Sequence, residues 1–127
     1  MRKESIISKG KYALPQSDQL ISVREYMFVR GKDGRKQLIL RLNNDRNEVC
    51  DGFSLTVYQY DAKGNLLGEE QFESEDKKTY KAGAPFALEK IFKVKEKCTE
   101  VRVNVLWASF GDYTYQVEAS GVNVIYE

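Results

Sequence analysis

Side chains able to move a proton, attack a carbon or hold a metal are scarce in this chain. It contains no histidine in 127 residues. That removes the imidazole base of a nucleophilic triad and the commonest nitrogen ligand for zinc. The nucleophile candidates Ser54, Ser109 and Cys98 sit in no GxSxG context and beside no base signature. No GxxxxGKS, GxxxxGKT or GxGxxG run is present to cradle phosphate. A carboxylate-only or lysine-based mechanism is what remains, and it needs residues converging in a cleft, which spacing along a chain does not encode. The sequence reads as a non-enzyme with no cofactor and no metal.

Four groups of residues remain as candidates for binding. The acidic run Glu69, Glu70, Glu73, Glu75 and Asp76 suits either a hard-cation site or, as expected here, a solvated edge strand whose charges prevent edge-to-edge pairing. The segment Asn43-Asn44-Asp45-Arg46-Asn47-Glu48 with Asp51-Gly52 is rich in oxygens, but Val49 interrupts the alternation of a calcium loop. A polar turn is the simpler account, because Asn and Asp bond to their own backbone. Basic residues group at Arg30, Lys32, Arg35, Lys36 and again at Lys90, Lys93, Lys95, Lys97. Residues 1–50 carry a net +5 and residues 51–127 a net −4. Folding is expected to mix the signs. The overall charge of +1 offers no bulk field for nucleic acid or an anionic membrane.

Aromatics are the one notable excess, with eight Tyr, six Phe and one Trp. Tyr58 and Tyr60 alternate with Leu55 and Val57 and so face away from them, while Tyr113 and Tyr115 lie near the C-terminus. Tyrosine offers contact area, stacking and a hydroxyl at low entropic cost. These four are the candidate binding residues, for a protein or a glycan partner. Trp107 shares the parity of Val101, Val103 and Val105 and is expected in the core.

The elements that must position them follow a period of two. Phe53–Tyr60, Val101–Trp107 and Gln37–Asn43 alternate apolar with polar residues, and Phe86, Leu88, Phe92 and Val94 share a parity. That is the pattern of half-buried strands rich in β-branched and aromatic residues. Turns fall at Gly31-Lys32-Asp33-Gly34, Asp61-Ala62-Lys63-Gly64-Asn65, Ala82-Gly83-Ala84-Pro85 and Gly111-Asp112. A parity change beside Gly121 signals a bulge. Seven strands result, near 20–30, 36–43, 53–61, 66–73, 86–94, 100–110 and 115–126. They predict an all-β domain over 20–127, a single antiparallel sandwich of immunoglobulin-like form, with a small barrel as the alternative. Residues 1–19 read as an N-terminal arm.

The stretch Phe53-Ser54-Leu55-Thr56-Val57-Tyr58-Gln59-Tyr60-Asp61-Ala62-Lys63-Gly64-Asn65-Leu66-Leu67-Gly68 resembles the segment for which FxLyD-type bacterial β-sandwich domains are named. The leucine-rich strand ending in Asn43-Asn44 and the Gly-Ala-Pro-Phe entry at 83–86 are also similar. The resemblance implies an accessory or spacer domain, commonly on cell-envelope proteins, with no catalytic residues to transfer. Compartment signals diverge from it. The N-terminal residues lack the apolar core of a signal peptide, and no run reaches the eighteen or so apolar residues of a membrane span. Cys50 and Cys98 each precede a strand, and the two strands are separated by an odd number of reversals. This places the thiols at opposite ends of the domain, too far apart to bridge. Free thiols favour a reducing, cytoplasmic setting.

Overall fold

The computed structural model describes residues 5–11, 20–116 and 123–127. Among these it has ten strands and no helix: β1 (Ser5–Lys11), β2 (Ile21–Arg30), β3 (Lys36–Asn44), β4 (Gly52–Asp61), β5 (Leu66–Glu73), β6 (Pro85–Ala87), β7 (Phe92–Lys93), β8 (Cys98–Phe110), β9 (Tyr113–Gln116) and β10 (Asn123–Tyr126). They form two antiparallel sheets. One runs β1-β2-β3 and continues with β6 and β7, both paired to β3. The other runs β5-β4-β8 and continues with β9 and β10, both paired to β8. The sheets pack face to face without closing, so the fold is a β-sandwich and not the alternative barrel.

Five of the expected strands keep nearly their expected limits. The expected strand 86–94 breaks into β6 and β7, although Leu88, Phe92 and Val94 remain buried. The last expected strand gives β9 and β10, and the bulge beside Gly121 lies outside the described residues. Residues 5–11 of the expected arm form β1, hydrogen-bonded along β2. The turn glycines Gly34 and Gly64 both adopt φ of +83°, the left-handed region open to glycine without a Cβ penalty. At Gly64 this conformation closes the β4–β5 hairpin, which carries a register shift at Gln59/Tyr60.

The core comes from the inward parity of each long strand: Leu38, Leu40 and Leu42 on β3, Phe53, Leu55 and Val57 on β4, and Val101, Val103 and Val105 on β8. At one end an aromatic cluster completes it. Phe53 packs with Phe72, Tyr80 and Phe86 at ring-centroid distances of 5.8, 5.2 and 5.7 Å. Tilted and edge-on geometries of this kind suit the ring quadrupoles.

At the opposite end the two sheets are joined by polar side chains. Gln59, on the inner parity of β4, donates from Nε2 to the Lys93 carbonyl and accepts the Lys95 N–H, each at 2.9 Å. Lys36 opens β3 with its side chain only 3% exposed. Its ammonium donates to the carbonyls of Cys98 at 2.7 Å and Glu96 at 3.3 Å, and pairs with the Glu127 carboxylate. Burying an ammonium is costly unless acceptors and a counter-charge face it, and here two carbonyls and a carboxylate do.

The cysteines are free, buried and at opposite ends of β4. Cys50 lies just before Gly52, whereas Cys98 pairs with Asp61. The strand between them spans about 30 Å at ~3.3 Å per residue. Burial raises the pKa of both thiols above the ordinary range, outweighing the hydrogen bonds that favour thiolate.

Two outcomes follow. Ellman's reagent should react slowly with the native chain and promptly with two thiols once guanidinium unfolds it, in equal amounts with and without prior reduction. In denaturant titrations, Lys36→Ala should cost about 3 kcal/mol, since it strands a carboxylate and two carbonyls. Lys36→Met should recover only about 1 kcal/mol of that, because the apolar stem still packs while the same acceptors stay unpaired.

Candidate functional site

The outer face of the β5-β4-β8 sheet is where candidate residues meet. Along β4 the residues between inward Phe53, Leu55, Val57 and Gln59 are Ser54, Thr56, Tyr58 and Tyr60, so all four point away from the core. Pairing sets their neighbours. Tyr58 stands between Glu69 of β5 and Arg102 of β8, and Arg102 adjoins Val124 of β10. Tyr60 stands between Leu66 and Glu100, and Glu100 adjoins Tyr126. Thr56 is flanked by Gln71 and Asn104.

Trp107 also lies on this face, contrary to the core position its parity suggests. The β4–β8 register shifts between Ser54 and Leu55: Leu55 faces Val105, but Ser54 faces Trp107. One extra residue, Leu106, is accommodated in β8, a bulge that reverses the alternation. Beyond it Ala108 and Phe110 turn inward, while Trp107 lies half-buried over Gly52. A Cβ built on Gly52 would stand 3.3 Å from the indole ring, so a glycine there gives the indole its seat. Leu106 lines a shallow hollow with Thr56, Tyr58, Glu69 and Gln71.

Electrostatics fix the middle of the face. The Arg102 guanidinium lies 4.6 Å from the Tyr60 ring centroid, and its Nε donates to Glu100 at 2.7 Å. The Glu100 hydrogen bond, followed by its charge, raises the Arg102 pKa, while the stacking holds the tyrosine ring in place. Nearby, Asn104 Oδ1 is buried and accepts no hydrogen bond among the described residues. Buried acceptors are normally paired.

The other two candidate tyrosines do not join this face. Tyr115 pairs with inward Ala108, sits 6.0 Å from the Phe110 ring and lies under the Arg46 guanidinium at 4.9 Å. Tyr113, opposite Phe110, is 65% exposed at the end of the sandwich. Both occupy the core-facing side of β9. The structure thus brings Tyr58 and Tyr60 together with Arg102 and Tyr126, places Trp107 farther along the same face opposite Ser54, and separates them from Tyr113 and Tyr115.

The acidic and Asn-rich groups lie elsewhere. The acidic run occupies the edge strand β5 and the loop after it, with Glu70 paired to Lys90 at 3.5 Å. No group of three or more Cys, Asp and Glu among the described residues is arranged to hold a metal ion. In the Asn-rich segment, Asn44 is buried and organises the loop. Its Nδ2 donates to the carbonyls of Glu48, Lys81 and Tyr80, and its Oδ1 accepts the Arg46 N–H. Asp45 accepts from Ser22 and Asn43, and burial raises its pKa despite both bonds. A second shallow hollow lies on the outer face of the other sheet, lined by Met27, Ile39, Ala87, Lys9 and the Glu25–Arg41 pair.

No protein-family model, curated protein or solved structure matches this chain.

The position of Trp107 is directly measurable, since it is the sole tryptophan. Its fluorescence should be quenched by acrylamide in the native state. Trp107→Ala should cost about 1–2 kcal/mol, against about 3–5 kcal/mol for Phe53→Ala in the sealed core.

Proposed function

We propose that the protein is a non-catalytic interaction module that takes a protein partner on the outer face of the β5-β4-β8 sheet. The observation that carries this reading is the grouping of Tyr58, Tyr60, Trp107 and Arg102 on one pleated surface. Tyr, Trp and Arg are the residues that most often dominate binding energy at protein interfaces. Each combines a large apolar area with a polar terminus, so it gains from burial and still satisfies its hydrogen bonds.

The physical setting supports the reading in two further ways. The rings are held before any partner arrives: Tyr60 by Arg102, and Trp107 by its seat on Gly52. Preorganised side chains lose less entropy on binding. Beside them Gln71 presents an exposed amide, and Glu69 and Arg102 supply opposite charges that can set orientation. The same interleaving of rings with amides and hydroxyls favours a glycan as the second reading, since a sugar presents C–H faces to rings and hydroxyls to amides.

Tyr58→Ala with Tyr60→Ala, or Trp107→Ala alone, should weaken partner capture at least about 30-fold, roughly 2 kcal/mol per lost anchor. Each variant should keep the native circular-dichroism spectrum. Undiminished capture by both variants would remove this face from consideration. Retention of the wild-type chain in gels cast with neutral polysaccharide, lost in the same variants, would select the glycan reading.

A further inference from the structure

The net charge of +1 conceals a separation along the sandwich axis. Three turns meet at the end where Lys36 and Gln59 join the sheets: Gly31–Arg35, Asp61–Asn65 and Val94–Lys97. They are held against one another. Arg30 donates to both Glu96 oxygens, at 2.6 and 3.2 Å, linking the first turn to the third. Gln59 bonds the main chain of Lys93 and Lys95, and Asp61 pairs with Cys98, linking the second turn to the third.

Charge at this end is unequally engaged. Its carboxylates are used internally. Asp33 accepts the Arg35 N–H and lies 3.7 Å from that guanidinium. Asp61 accepts from the Lys63 and Asn65 main chain and from the Asn65 amide. Glu96 is held by Arg30, and Glu127 by Lys36. Lys32, Lys63, Lys93, Lys95 and Lys97 are all exposed and have no salt bridge among the described residues, and the Arg35 side chain is 73% exposed.

We propose that this end of the sandwich is a docking surface for the anionic headgroups of a lipid bilayer. Three rigidly linked turn tips present their cations at one end of the molecule, an arrangement suited to a plane of charge. The five cations without a salt bridge are all lysines, whose compact ammonium on a long stem reaches a diffuse anionic surface without the fixed fork that arginine offers a single phosphate. Their attraction depends on lipid charge and fades beyond a Debye length, about 8 Å at physiological salt. This surface adjoins the tyrosine-bearing face at Tyr60 and Asp61 but does not depend on its role.

Sedimentation of the 127-residue chain with vesicles tests the proposal. The protein should pellet with phosphatidylcholine vesicles containing about a quarter phosphatidylserine, stay in solution with phosphatidylcholine alone, and be released by high salt. Each lysine near such a surface raises partitioning about fivefold, so Lys95→Gln with Lys97→Gln should lower it roughly 25-fold. Lys77→Gln with Lys81→Gln removes the same charge from the far end and should leave partitioning within about twofold. Circular dichroism should show both variants folded. Failure to pellet with anionic vesicles would overturn the proposal. So would equal losses in the two double variants, or binding to soluble polyphosphate without binding to vesicles, which would assign the surface to a linear polyanion.

Discussion

Everything in this molecule depends on the seal between two inner sheet faces. Leu38, Leu40 and Leu42 from one sheet share a single buried cluster with Leu55, Val57, Val101 and Val103 from the other. Removing such side chains from water is the main favourable term in folding. It is also a geometric demand, because side chains alternate along a strand. Once one parity is committed inward, the opposite parity is exported to the surface, and Tyr58 and Tyr60 face outward for no other local reason.

The seal is finished differently at its two ends. Near Cys50 an aromatic cluster around Phe53 closes it, with Asn44 substituting its amide for missing backbone partners in the adjoining loop. Near Cys98 the closure is polar, through Gln59 and the Lys36 ammonium. Polar closure is tolerated because every group involved has a partner, which is the condition under which burying it is not a net penalty.

Much of this was legible in the alternation of residues. The long strands, their turns and the separation of the cysteines follow from period two and from where glycine must stand, as Gly34 and Gly64 show. Trp107 was not legible. Its parity with Val105 is true in sequence and false in space, since the bulge at Leu106 is set by pairing with β4 and not by any residue type. Arg102 was missed for a related reason: its position over Tyr60 is a cross-strand relation, invisible until register is known. Residues 5–11, too short of apolar alternation to signal a strand, gain their structure from the open edge of β2. A sum of charges does not say where on the surface each charge stands. The two halves of the chain do interleave, yet the turns at one end collect exposed lysines while the nearby carboxylates are held by hydrogen bonds and ion pairs to neighbouring residues.

The way residues 93–98 are anchored has a consequence for how such a domain can change over generations. Gln59 and Lys36 grip that segment by its peptide groups at Lys93, Lys95, Glu96 and Cys98, and Val94 alone among residues 93–97 plugs the interior. The alternating lysines contribute nothing to this grip. Drift can rewrite them, one codon at a time, with little effect on whether the chain folds. A scaffold that fastens a loop by its backbone leaves the loop's exterior chemistry open to selection.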